Sequence, residues 1–180
     1  MLECRKKSPM STIKYKNRIH KRRLTNVLSL QALARIDFPV YLQENGYDKL
    51  SEKQQNNKFK KFFANWIGKT YNGWRQLEKA RRIISDNFII ELEDKFNLDN
   101  GVLDLEDNKT VREHIFFLIC GHLTDRFIAK NNIDITSSQR STLIDGIFHL
   151  SQNQPQQLES CLQAQSRSMG IYCGTENSPE

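Results

Sequence analysis

The stretch Lys60–Leu77, KKFFANWIGKTYNGWRQL, constrains the fold of this chain more than any other. It predicts one short helix, a sharp turn at Gly68 and a second short helix. Ala64 supplies the small residue needed where two helices cross closely. Gly68 follows four residues later, where the chain must turn and Gly most easily adopts a positive φ. Phe63 and Ile67 form the buried face of the first helix. Trp74 and Leu77, at i and i+3, form that of the second. Lys69, Thr70, Tyr71, Asn72, Arg75 and Gln76 are left outside. This is the layout of a helix-turn-helix, in which the second helix lies in the DNA major groove.

The outward residue types suit that task. Arg donates two hydrogen bonds to guanine, and Gln or Asn pairs with the edge of adenine, each worth about 1–3 kcal/mol of discrimination. Arg75 and Gln76, then Asn72, are therefore the expected base contacts. Lys69, Thr70 and Tyr71 stand near the start of the second helix, within reach of phosphates. Lys60, Lys61, Lys79, Arg81 and Arg82 are expected to contact the backbone and add affinity independent of sequence. Two residues sit less comfortably in the pattern. Lys69 stands where such motifs often carry an apolar residue, and Gly73 weakens the second helix by roughly 1 kcal/mol relative to Ala.

Charge is distributed in the same sense. Residues 1–82 carry 20 basic and 6 acidic side chains, a net +14, whereas residues 83–180 carry 7 and 15, a net −8. A basic front joined to an acidic back fits a polyanion partner for the front. The run Lys14–Arg23, which includes Arg22 and Arg23, reads as an arm along the DNA backbone or in its minor groove. If about six phosphates are neutralised, affinity falls steeply with salt.

Hydrophobic residues make up 38% of the chain, with ten Phe, enough to fill a core. No apolar run approaches a membrane span, and no apolar segment follows the basic N-terminus as in a secretory signal. Cys4, Cys120, Cys161 and Cys173 lack zinc-ligand spacing, so no metal and no cofactor is expected. Cys120 reads as a core residue, and the cytoplasm is the expected location. No nucleophile–base pair, paired carboxylates or Gly-rich phosphate loop stands out, so the expected catalytic residues are none.

The periodicity elsewhere is helical, and no strand or repeat emerges. Residues 1–12 read as a flexible basic tail. A helix over RLTNVLSLQALARI is expected to stop at Asp37-Phe38-Pro39, because Pro disfavours a helical residue before it. Ser51 begins the next helix. Ser85 or Asp86 caps FIIELEDKFN, with Phe88, Ile89, Leu92 and Phe96 inward and Glu91, Glu93 and Asp94 outward. Residues 108–152 predict a helical hairpin with a capped second helix from Thr136–Ser138, suited to homodimerisation. Residues 153–180 read as a largely disordered tail with one weak amphipathic helix at QQLESCLQAQ.

Residues 59–104 resemble the DNA-binding domain of lambda-repressor-like phage and prophage regulators. In those, an Ala-x3-Gly helix-turn-helix is followed by a polar linker, an Ile-Ser-Asp cap, a further helix and a Leu-x-x-Gly-x-Leu-Asp tail. Here the tail is Leu98, Gly101, Leu103 and Asp104. The first helix would come from residues 18–36, and residues 37–58 are longer than the usual link. The resemblance implies an all-α chain: a lambda-repressor-like helix-turn-helix domain over 13–107, then the hairpin. It further implies a sequence-specific regulator of transcription, a prophage-type repressor that acts by occupying an operator on double-stranded DNA as a homodimer. The alternatives are a helical protein–protein interaction module with a degenerate helix-turn-helix, and a helical RNA-binding protein using the basic front.

Overall fold

The computed structural model describes residues 9–151 and 157–171, with side chains from Asn17 onward. Every regular element among the described residues is a helix, with no strand among them. They form α1 (Pro9–Ser29), α2 (Gln31–Glu44), α3 (Glu52–Trp66), α4 (Tyr71–Glu78), α5 (Asp86–Phe96), a 3-10 turn (Val102–Asp104), α6 (Asn108–Lys130), α7 (Ser137–Ser151) and α8 (Leu158–Ser168). The chain divides into two compact units, one up to Ile115 and one from Phe116. The first unit thus continues past the boundary expected at residue 107. Residues 1–8 of the expected flexible tail lie outside the described residues, and α1 already begins at Pro9. No helix among the described residues is long and apolar enough to cross a membrane.

An aromatic series forms the core of the first unit. Phe38 of α2 meets Phe59 of α3 edge to face at 5.1 Å, and Tyr41 meets Phe62 at 4.9 Å. Phe63 passes the series on to Trp74 of α4, edge to face at 5.5 Å, and Trp66 stacks on Phe96 of α5 at 4.4 Å. Phe63, Ala64, Ile67 and Trp74 are buried where α3 and α4 meet.

The same series overturns one expectation. The helix does not stop at Asp37-Phe38-Pro39. A break comes earlier, at Leu30, and α2 then runs through Pro39 to Glu44. An interior Pro costs about 3 kcal/mol. Burying Phe38 and Leu42 returns roughly 1.5–3 kcal/mol each, before the aromatic pairs are counted. Pro39 itself is exposed.

Most helices end in one way. At the end of α3, Gly68 has φ +75, its N–H bonds to the Asn65 carbonyl, and the Lys69 N–H bonds to that of Ala64. This left-handed closure satisfies the last carbonyls and turns the chain sharply. At the end of α4 the left-handed residue is Ala80, φ 52, with the Ala80 N–H on Leu77 and the Arg81 N–H on Gln76. Asn97 closes α5 likewise. Ser85 caps the start of α5, accepting the Phe88 N–H at 3.3 Å.

The segment after α5 is held by groups that local periodicity assigns to solvent. Glu93, expected outside, is 1% exposed. Its carboxylate accepts the N–H of Leu103 at 2.7 Å and of Gly101 at 2.9 Å. Two unpaired backbone donors of the 3-10 turn thus require an acceptor at this position, which overrides its charge. From α1, Asn26 donates to the carbonyls of Leu103 and Leu105.

In the second unit, Cys120, Leu143, Ile144, Ile147 and Leu162 form a buried cluster from α6, α7 and α8. Burial pushes the Cys120 thiol up to about 11, that of an inert core residue. Thr136 and Gln139 cap α7 reciprocally: each side chain accepts the other residue's backbone N–H. Arg140 grips Asp125 through bonds of 2.6 and 2.7 Å. The amphipathic helix expected at QQLESCLQAQ is present as α8, which runs on to Ser168 and gains a buried face because Leu162 is drawn into the cluster. Residues 152–156 and 172–180 lie outside the described residues.

Candidate nucleic-acid interface

The candidate interface is the outer face of α4 and the turns on either side of it. α4 is short, and two local devices hold its start. Gly68 reverses the chain, and Thr70 Oγ1 accepts the Gly73 N–H at 3.1 Å. Gly73 belongs to that cap: a Cβ there would stand 3.0 Å from Thr70 Oγ1, tighter than an ordinary contact. The lost helix propensity at Gly73 therefore accommodates the N-cap bond. The Thr70 hydroxyl, expected on a phosphate, is engaged within its own helix, and the residue remains exposed.

Trp74 is 1% and Leu77 is 8% exposed, so α4 has a defined inward face. At 3.6 residues per turn, Asn72, Arg75, Gln76 and Lys79 fall within one arc of about 100° on the opposite side. Asn72, Arg75 and Lys79 are exposed and Gln76 is half-buried. Tyr71 has two cations near its ring centre, Arg75 at 5.8 Å and Lys61 at 5.9 Å. Lys60, Lys61, Arg81 and Arg82 are exposed. Arg81 and Arg82 both donate their backbone N–H to the Gln76 carbonyl, so the closure at Ala80 fixes where their side chains begin.

Three expected backbone contacts are engaged elsewhere. Lys69 Nζ lies 3.9 Å over the Phe88 ring and 4.0 Å from Glu91. Its place in the motif is apolar in effect: the stem and charge cover an aromatic face of α5. Arg23, expected on DNA, is 8% exposed. It bonds Asp104 through Nε and Nη2, the Ile84 carbonyl at 3.1 Å through Nη1, and Asp86 at 2.6 Å. Arg22 is half-buried and pairs with Glu106 at 3.1 Å.

Within Lys14–Arg23, read as an arm, the described side chains of His20 and Arg23 are turned into the fold, whereas Arg18 and Lys21 are exposed. They belong to α1, whose inward face carries His20, Arg23 and Val27. His20 Nδ1 accepts the Ile84 N–H at 3.2 Å. Lys14 lies among residues whose side chains are not described. Ile84, Asp86 and Asp104, which the resemblance assigns to a cap and a tail, are thus partners of α1, while Ser85 caps α5. That role for Arg23 and His20 had no signal in their own neighbourhood.

Among the described residues, no group of His, Cys, Asp and Glu is placed to hold a metal ion. No protein-family model, curated protein or solved structure matches this chain.

Proposed function

We propose that this protein is a lambda-repressor-like, sequence-specific regulator of transcription, of the prophage-repressor type, that acts in the cytoplasm by occupying an operator. The observation that carries the reading is the outer arc of α4. A polar, cationic set (Asn72, Arg75, Gln76, Lys79) is presented by a helix anchored through Trp74 and Leu77. In this reading α3 and α4 form the helix-turn-helix and α4 enters the major groove. Arg75, Gln76 and Asn72 read base edges. Lys60, Lys61, Tyr71, Lys79, Arg81 and Arg82 position the protein on phosphates. Arg22, Arg23 and Lys69 drop out of the phosphate set, because their charges are paired with carboxylates of the same chain.

The second unit supplies self-association in this proposal, which places two α4 helices on half-sites about one DNA turn apart. Phe117 and Leu150, 42% and 54% exposed, support it as apolar surface available to a second copy. Repression follows from occupancy, with no catalytic step.

A gel-shift titration of genomic fragments at two salt concentrations tests the reading. Salt-sensitive binding that retains a sequence preference is expected. Replacing Arg75 and Gln76 together by Ala should erase the preference and leave weak, non-specific binding. Failure to bind any genomic fragment would sink the proposal. Survival of the preference in the double variant would overturn the assigned reading face.

A further inference from the structure

Residues 81–85 join α4 to α5 as a strap with no helical bonding of its own. The strap meets α1 through Ile84, at both backbone groups of that residue. The Ile84 N–H donates to His20 Nδ1 at 3.2 Å, and the Ile84 carbonyl accepts from Arg23 Nη1 at 3.1 Å. His20 and Arg23 stand about one helical turn apart, so a single side of α1 grips both groups. Ile84 is 1% and His20 4% exposed, so water offers neither bond a ready substitute.

This geometry admits one charge state of the imidazole. An Nδ1 that accepts a hydrogen bond carries a lone pair, so the ring is neutral with its proton on Nε2. An imidazolium donates from both nitrogens. Its Nδ1–H would oppose the Ile84 N–H, and the bond would be lost. Arg23 has no such alternative, because its guanidinium stays charged and always donates. The charges gathered here are Arg18, Arg22 and Arg23 on α1, Asp86 at the head of α5, Asp104 of the 3-10 turn and Glu106 after it. They are paired with one another, so the group that penalises a proton on His20 is the Ile84 N–H.

We propose that His20 is a proton-controlled latch. Neutral, it closes the strap on α1; protonated, it releases Ile84. Imidazole is the side chain that ordinarily changes charge between about pH 5 and pH 8. Proton uptake and the bond to Ile84 exclude each other. The latch is therefore closed at the upper end of that range and opens as pH falls. The strap carries Arg81 and Arg82. Under the DNA-binding reading, on which this consequence alone rests, an open latch unfixes two phosphate contacts beside α4.

The test is NMR of the full chain at about pH 7.5 and about pH 5.5, reading imidazole nitrogen shifts and amide exchange corrected for its intrinsic pH dependence. The His20 ring should carry its proton on Nε2 alone at the upper value and on both nitrogens at the lower. Protection of the Ile84 amide should fall about 10-fold on acidification, the effect of one lost hydrogen bond, while that of Leu92 inside α5 holds. His20→Asn places an amide oxygen close to the position of Nδ1 and does not titrate, so Ile84 should be equally protected at both values. His20→Phe removes the acceptor and should leave Ile84 poorly protected at both. Circular dichroism establishes which variants fold; should either fail, the wild-type ring shifts and Ile84 protection still decide. A ring that stays neutral at about pH 5.5, or unchanged wild-type protection at Ile84, overturns the proposal. An equal fall in wild type and His20→Asn assigns the response to the carboxylates around Arg23 and overturns it as well. No DNA enters these measurements, so a failure of the DNA-binding reading is distinguishable from a failure of the latch.

Discussion

Arg23 on α1 closes a two-point pair with Asp104, Nε to Oδ1 at 2.6 Å and Nη2 to Oδ2 at 2.7 Å, across 81 residues of chain. The pair ties the first helix to the segment after α5, and Asp86 adds a third carboxylate oxygen to the same guanidinium. Hydrogen bonding to Asp104, the largest contribution, holds the Arg23 guanidinium well above its ordinary value against the opposing effect of burial. Removing the cation leaves Asp104 facing the groups it was folded against. Arg23→Ala should destabilise the protein by about 3 kcal/mol, the lower end for breaking a buried pair from one side. A denaturant double-mutant cycle with Asp104→Asn should return a coupling of about 1–3 kcal/mol. Additive effects of the two substitutions would refute the pairing as a source of stability.

The same pair sets an acid response. The hydrogen bond from Arg23 is the chief cause that holds the Asp104 carboxyl below the usual carboxylate range, and burial opposes it. A folded value below the unfolded one, which is near 3.9, makes the native state bind its proton later. The stabilisation is fully present above the unfolded value and is lost as pH falls through the folded one. Urea midpoints should therefore be insensitive to this group from about pH 7 to about pH 5 and decline below about pH 4. In Asp104→Asn the acid decline should be shallower. An unchanged slope would exclude Asp104 as its source.

Ala80 occupies the left-handed position that Gly68 and Asn97 fill at the ends of α3 and α5. A non-Gly residue there is strained by roughly 1–2 kcal/mol, part of which Gly gives back through its freer unfolded chain. Nothing in the closure at Ala80 uses the methyl group to make a hydrogen bond. Ala80→Gly should stabilise the protein by about 0.5–1 kcal/mol, seen as a higher melting temperature. A lower melting temperature would mean that the methyl group contributes more by packing than its backbone strain costs.

Lys69 separates fold from function. Its ammonium covers Phe88 rather than standing free on the surface. Lys69→Gln should lower stability by about 0.5–1 kcal/mol, the range of a partly exposed cation–π contact. If α4 binds DNA as proposed, this variant should keep the wild-type salt slope, whereas Lys61→Gln should reduce that slope by about one phosphate's worth. A matching reduction for both would return Lys69 to the DNA-contacting set.

Much of the local architecture could be read from spacing alone. Phe63, Ala64, Ile67, Trp74 and Leu77 fall where helical periodicity puts them, and all five are buried. Gly68 takes the positive φ that its place after a helix implies, and Ser85 caps α5. Such features are encoded within a few residues, because a turn, a cap or an amphipathic face is decided by its immediate neighbours.

The fate of the charges was not local. Arg22, Arg23 and His20 read as part of one basic run, yet Arg23 and His20 are buried against residues 61 to 81 positions away. Glu93 sits on what the pattern marks as a polar face and is buried by two backbone donors from the 3-10 turn. Pro39 carries a stop signal that the aromatic packing of Phe38 outweighs. Periodicity by itself determined the helical class, the apolar faces of α3, α4 and α5 and which residues α4 turns outward, but not the bounds of α1 and α2. Tertiary structure decided which cations remain available to a partner. A charged side chain leaves water only when a counter-charge or an unsatisfied backbone group arrives to meet it, and here those partners come from distant parts of the chain.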